Sequence, residues 1–255
     1  MKHLIIALAL GAFLASPARA QKPTAEQLAA FFDTVVFGAE YLKSGSKVIQ
    51  KWTGPVRIQV AAMGGKMIDK GDGKRELKLN KRVPDRTHVD VIRKHLKTLL
   101  KISKVKVENA KKLGKQPNFF IKFVPRIAMH APFLVPGADP KLLKKMAQAG
   151  VCYFLTAAKG GRIVWATIVV NIELPLRDID SCLLEEMTQT LGLPNDSDLV
   201  KPSVFNNRSQ PTALNRTDVI LLRALYDPRL HPGMAREPAM KVARQVIGEL
   251  DAKLK

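Results

Sequence analysis

The apolar positions change period several times along this chain, and each change marks an element. Leu28, Phe31, Phe32, Val35, Val36 and Ala39 recur at helical spacing and predict a helix over residues 24–42, with Thr24 placed to cap it. Residues 56–60 read Val-Arg-Ile-Gln-Val, the alternation of a half-buried strand, led in by Gly54-Pro55. Residues 64–84 are rich in Gly, Asp and Lys and predict a loop or hairpin excursion. The helical period returns over 85–100, where Val89, Ile92, Leu96, Leu99 and Leu100 form the core stripe. Short alternating strands follow at 104–107 and 119–124, then a short helix over 140–149 that Gly150 ends.

The second half is patterned as clearly. Strands over 151–157 and 162–172 flank Lys159-Gly160-Gly161, a hairpin turn signal. A helix over 179–191 stops at Gly192 and Pro194, and residues 195–215 are polar and loop-like. Two more helices are expected over 216–226 and 238–254. This order predicts an α+β fold: a mixed sheet packed on helices, with a mostly helical C-terminal part.

Residues 1–20 change the picture of where the chain works. Lys2 and His3 precede an uncharged apolar run from Leu4 to Leu14, and Ala18-Arg19-Ala20 places small residues where a signal peptidase reads. The run is far shorter than the roughly 20 residues of a bilayer-spanning helix. Cleavage before Gln21 is expected, leaving residues 21–255 as one domain in the periplasm or secreted medium. No later segment is apolar enough to span a membrane. The two cysteines, Cys152 and Cys182, then read as a disulfide.

The net charge of +20 is concentrated: residues 41–130 hold 23 Lys/Arg against 6 Asp/Glu. Such a field favours acidic partners, among them anionic envelope polymers. No nucleic-acid motif and no interleaved aromatics accompany it. The helix over 85–100 presents Arg86, Arg93, Lys94 and Lys97 to the outside. His88 and His95, seven apart on that helix, read as a solvated pair.

Candidate chemistry concentrates after Cys182. On the helix over 179–191, Leu183, Leu184, Met187 and Leu191 share one face, Glu185 and Gln189 lie one turn apart on the opposite face, and Glu186 lies between. Zincins carry H-E-x-x-H-x-x-G-x-x-H here: two histidines bind the metal from one helix face, the glutamate is general base, and the glycine turns the chain toward a third ligand. The aligned residues read E-E-M-T-Q-T-L-G-L-P-N. Glu186 and Gly192 match, and Glu185, Gln189 and Asn195 stand where the histidines would, followed by Asp196. The strand over 162–172 would correspond to the substrate-facing edge strand, and Pro232-Gly233-Met234 to a methionine turn.

Beyond this helix, Phe37-Gly38-x-Glu40, Lys51-Trp52, Ser203-Val-Phe-Asn206 and Leu225-Tyr-Asp-Pro-Arg-Leu-His-Pro-Gly-Met234 complete the pattern. With Cys182-Leu-Leu-Glu-Glu-x-x-Gln189-x-Leu-Gly-Leu-Pro-Asn-Asp196, they make a sequence that resembles the exported proteobacterial proteins of domain of unknown function 2927. The resemblance implies a zincin-like fold and supplies no activity. Gln189 and Asn195 are neutral oxygen donors, poor for zinc, whereas Glu185 and Asp196 suit a harder divalent ion. No tightly bound cofactor is expected, at most a weakly held divalent cation. Three functions follow as expectations: a non-catalytic binding or scaffolding protein of the cell envelope, a hydrolase with an oxygen-ligated metal and Glu186 as base, or a binder of anionic polymers.

Overall fold

A five-stranded sheet with parallel inner strands needs long crossovers, and the helices of this chain supply them. The computed structural model describes residues 22–40, 44–206 and 208–254; the expected leader lies outside them. Helix α1, Ala25–Phe37, opens with a capping box in which Thr24 and Gln27 exchange side-chain and backbone hydrogen bonds. It ends at Phe37, not at residue 42, because Gly38 turns extended where the Asn195 side chain crosses.

Strands β1 (Ile58–Asp69) and β2 (Arg75–Arg82) turn the expected excursion into a long hairpin. Its turn holds Gly71, Asp72 and Gly73 at positive φ. Glycine and lysine mask the alternation, yet Met63, Leu77 and Leu79 on one face pack against a core cluster. Helix α2, Arg86–Ser103, is capped by Asp85 and ends at Lys104 in the left-handed region. Residues 104–107 are therefore not a strand; only Val107 bridges to Val56.

Strand β3, Phe119–Val124, leads through 3-10 turns at Arg126–Ala128 and Pro132–Leu134 to helix α3, Pro140–Met146. Strands β4 (Cys152–Lys159) and β5 (Arg162–Asn171) form the expected hairpin. The sheet order is β2-β1-β3-β5-β4, with β1, β3 and β5 parallel and antiparallel strands at both edges. The edge beside the helices is thus β4; β5, expected there, lies inside between β3 and β4. Alternation divides the core as the pleat requires. Ile168 and Val170 face the main cluster with α1, α4 (Leu176–Gln189), α5 (Arg216–Leu225) and α6 (Arg236–Lys253). Val169 and Tyr153 face a smaller cluster with Met129, Leu134 and Leu143.

The family-like residues mostly lock the end of α4. Trp52 Nε1 donates to Thr190 O at 3.0 Å, and Tyr226 Oη donates to Leu191 O at 2.9 Å. Buried Lys51 donates to Leu225 O at 2.9 Å, capping the C-terminal end of α5. Gly192, at φ 115°, packs its Cα against Gln50 O, where a side chain would overlap backbone. Asp218, fully buried, accepts from Ser203 Oγ at 2.6 Å and from Asn215 N at 3.0 Å, which orders the loop ahead of α5. The disulfide Cys152–Cys182 joins the start of β4 to α4.

The two histidines of α2 are not a solvated pair. His95 is 2 % exposed, its Nε2 lying 2.6 Å from Asp180 Oδ1 of α4, and His88 stacks on Phe123 with ring centroids 4.7 Å apart. Apolar contact on the sheet and α4 covers positions that the helical period alone left open.

Candidate functional site

Helix α4 reads as half-exposed, but the segment after Gly192 and the chain leaving α1 cover its polar side. Gln189 is 2 % exposed and Glu186 is 7 % exposed, while Glu185 is half-buried. After Gly192 the chain folds back, bringing Asn195 and Asp196 to α4 and α1. Gln189 Nε2 donates to Asp196 Oδ1 at 2.6 Å. Asn195 Nδ2 donates to Thr34 O at 3.2 Å and to Asp196 O at 2.8 Å, and Asn195 N donates to Val35 O at 3.2 Å. The structure therefore brings Glu185, Glu186, Gln189, Asn195 and Asp196 into one neighbourhood.

Glu40, just after α1, completes the cluster. Burial pushes Glu185 up to about 8, helped by the charges of Asp196 and Glu40. Asp196 is pushed up to about 7 by burial and by Glu40, against the opposing bond from Gln189. Burial, then Glu185, Glu40 and Asp196, hold Glu186 well above the ordinary carboxyl range, and its Oε2 has no hydrogen-bond partner. Burial and mutual repulsion therefore disfavour the ionised forms of Glu185, Glu186 and Asp196. Sequence reasoning placed Glu40 in a motif without giving it a role; only the return of the 195–196 segment brings it to these carboxyls.

At the two amide positions only neutral carbonyl oxygens are left as donors, a poor match for zinc. Both amide positions direct their N–H groups into internal bonds, and Gln189 is tied to the neighbouring carboxylate. Among the described residues no group of three His, Cys, Asp or Glu side chains is arranged to hold a metal ion. The Pro232-Gly233-Met234 turn pairs with the strand-like segment around Ile49: Gly233 N donates to Ile49 O at 2.9 Å and Ile49 N to Met234 O at 2.8 Å.

A cleft of about 320 Å3 adjoins the cluster, lined by Glu40, Gln50, Met146, Phe154, Thr156 and Pro194 among others. Its wall is the outer edge of β4, with which no strand pairs among the described residues. The register fixes which groups face it. Asn171 N donates to Val151 O, and Ala166 N turns to β3, so Tyr153, Leu155 and Ala157 bond to β5. The main-chain N–H and C=O of Phe154 and Thr156 therefore point outward into the cleft.

A family model described as "Protein of unknown function (DUF2927)" matches residues 25–245. The chain belongs to this family. The match contains the whole acidic cluster, the disulfide and the β4 cleft. No curated protein and no solved structure matches the chain. No helix among the described residues is long and apolar enough to cross a membrane.

Proposed function

We propose that this DUF2927 protein is an exported binding protein on a zincin-like frame, taking an extended peptide along the free edge of β4 without hydrolysing it. The observation that carries this reading is the outward-facing backbone of Phe154 and Thr156 on an unpaired strand edge lining a cleft. An extended chain can add to such an edge through main-chain hydrogen bonds, with side-chain pockets alternating beside it. Phe154 and Met146 supply apolar contact. The non-catalytic reading is supported by the setting of Glu186: a general base must be ionised at the working pH, and burial with neighbouring acids disfavours its ionised form. The periplasmic or secreted setting rests on the leader of residues 1–20.

Thr156→Pro tests the strand addition. Thr156 does not use its N–H in pairing with β5, so proline is tolerated there as on other strand edges. Peptides selected from a display library on the wild type should bind the variant about tenfold more weakly, through a lost hydrogen bond and a blocked edge. Undiminished binding to a variant that folds normally would sink the proposal. The same peptides should remain intact on incubation, and Glu186→Gln should leave their affinity unchanged.

A second reading, a surface for anionic envelope polymers, is favoured by one observation. Lys66 and Lys78 stand directly opposite each other on the β1–β2 ladder, both exposed. Like charges so placed destabilise a hairpin, and a bound polyanion relieves the repulsion. Helix α2 offers less than its sequence suggests, since Arg86 and Arg93 pair with Asp90 and Lys94 with Asp180. Binding to heparin, used as a model polyanion, should fall steeply with salt. Replacing Lys66 and Lys78 by alanine should lower the salt slope by about 2. Salt-insensitive binding would argue against this surface.

A further inference from the structure

The turns between β3 and β4 build a second concavity, of about 450 Å3, lined by Arg126, Ile127, His130, Lys144 and Glu173 among others. It lies across α3 from the β4 cleft: Leu142 and Met146 face that cleft, and Lys144 projects from the opposite side of the helix. Arg126 and His130 come from the turn after β3, Lys144 from α3, and Glu173 from the chain leaving β5. None of these four side chains has a hydrogen bond or ion pair among the described residues.

The walls are set by one buried side chain. Asn171, 3 % exposed, donates from Nδ2 to Gly150 O at 2.8 Å and accepts from Glu173 N on Oδ1 at 3.0 Å. It thereby fixes both Glu173 and the seat of Arg126. Gly150 has φ 70°, and a Cβ there would stand 2.6 Å from Arg126 Nε and 2.8 Å from its Cζ. The guanidinium rests where only glycine leaves room. Two permanent cations and an imidazole thus share one concavity with a single carboxylate, and their mutual repulsion is relieved by an anion.

We propose that this pocket binds a phosphate group carried beside a hydroxyl, as in a polyol phosphate. A carboxylate would be satisfied by the fork of Arg126 alone, whereas a phosphate has terminal oxygens enough for Arg126, Lys144 and His130, all exposed on the walls of the concavity. Glu173 repels a bare anion and accepts a hydrogen bond from the neighbouring hydroxyl.

The test is an NMR titration of the protein with glycerol 1-phosphate at constant ionic strength, following Arg126, His130 and Lys144. Saturable shifts are expected. Arg126→Ala should weaken binding about tenfold or more. Gly150→Ala should weaken it comparably although it removes no charge, because the new methyl displaces the guanidinium. Lys97→Ala, at an exposed position of α2, should change nothing. Glu173→Gln should narrow the preference for glycerol 1-phosphate over inorganic phosphate. Vesicles containing phosphatidylglycerol form the second arm: pelleting lost in Arg126→Ala assigns the phosphate to a lipid headgroup, and binding of soluble glycerol 1-phosphate alone assigns it to a free metabolite. Non-saturating shifts, or equal weakening by Arg126→Ala and Lys97→Ala, would overturn the site in favour of diffuse attraction.

Discussion

As pH rises from about 4.5 to about 8, the protein is expected to lose stability, and Glu185→Gln is expected to remove much of that loss. In the unfolded chain Glu185 releases its proton near the ordinary value of 4.5, and in the folded protein near about 8. Between these values the folded state holds more protons, so stability falls as pH rises. Below the unfolded value both states are protonated and the fold keeps its full stability. The loss at Glu185 alone is on the order of 4–5 kcal/mol, and Asp196 is shifted in the same direction. Urea midpoints across this range should fall for the wild type and flatten for Glu185→Gln and Asp196→Asn, with little difference between the proteins in acid. A midpoint that rises with pH, and rises further with added calcium or magnesium, would instead mean that the carboxylates are held ionised around a cation.

Loss of the Cys152–Cys182 bond should cost about 3–4 kcal/mol, given the sequence separation of 30 that it closes. The bond ties the first residue of β4 to the middle of α4 and so joins the cleft edge to the acidic helix. The Cys152→Ala, Cys182→Ala double variant should unfold at markedly lower urea concentration, and reductant should move the wild type to the same midpoint. The oxidised protein should take up no thiol-alkylating reagent. Two reactive thiols in the unreduced native protein, or a midpoint indifferent to reductant, would refute the bond and weaken the case for export.

The elements with a clean period were legible in the residues. The Thr24 cap, the β4–β5 hairpin around Gly160-Gly161, the helices and the mixed sheet all follow from patterns a few residues long, because capping, turns and amphipathic faces are local. The long β1–β2 hairpin was less legible, since glycines and lysines interrupt its alternation and only packing under Leu77 and Leu79 reveals the inward face.

That Glu185, Glu186, Gln189, Asn195 and Asp196 would lie together was also readable from spacing. Their environment was not. A helical period says that Glu185, Glu186 and Gln189 leave the apolar face of α4, but not what covers them. Glu40 at the end of α1 and Asp196, far apart in sequence, meet that side and raise its carboxyl groups, with Asn195 held to Thr34 O. Likewise, alternation marks β4 as a strand, but its place at the sheet edge comes from the order in which five strands pair. The sequence by itself determined the elements, the disulfide partners and the acidic helix, because each is written in near neighbours or in a single pair of residue types. The tertiary structure decided which acids are buried together, which backbone stays unpaired, and how Asn171 brings Arg126 and Glu173 to one pocket, because burial and pairing are set by segments that meet only when the chain is folded.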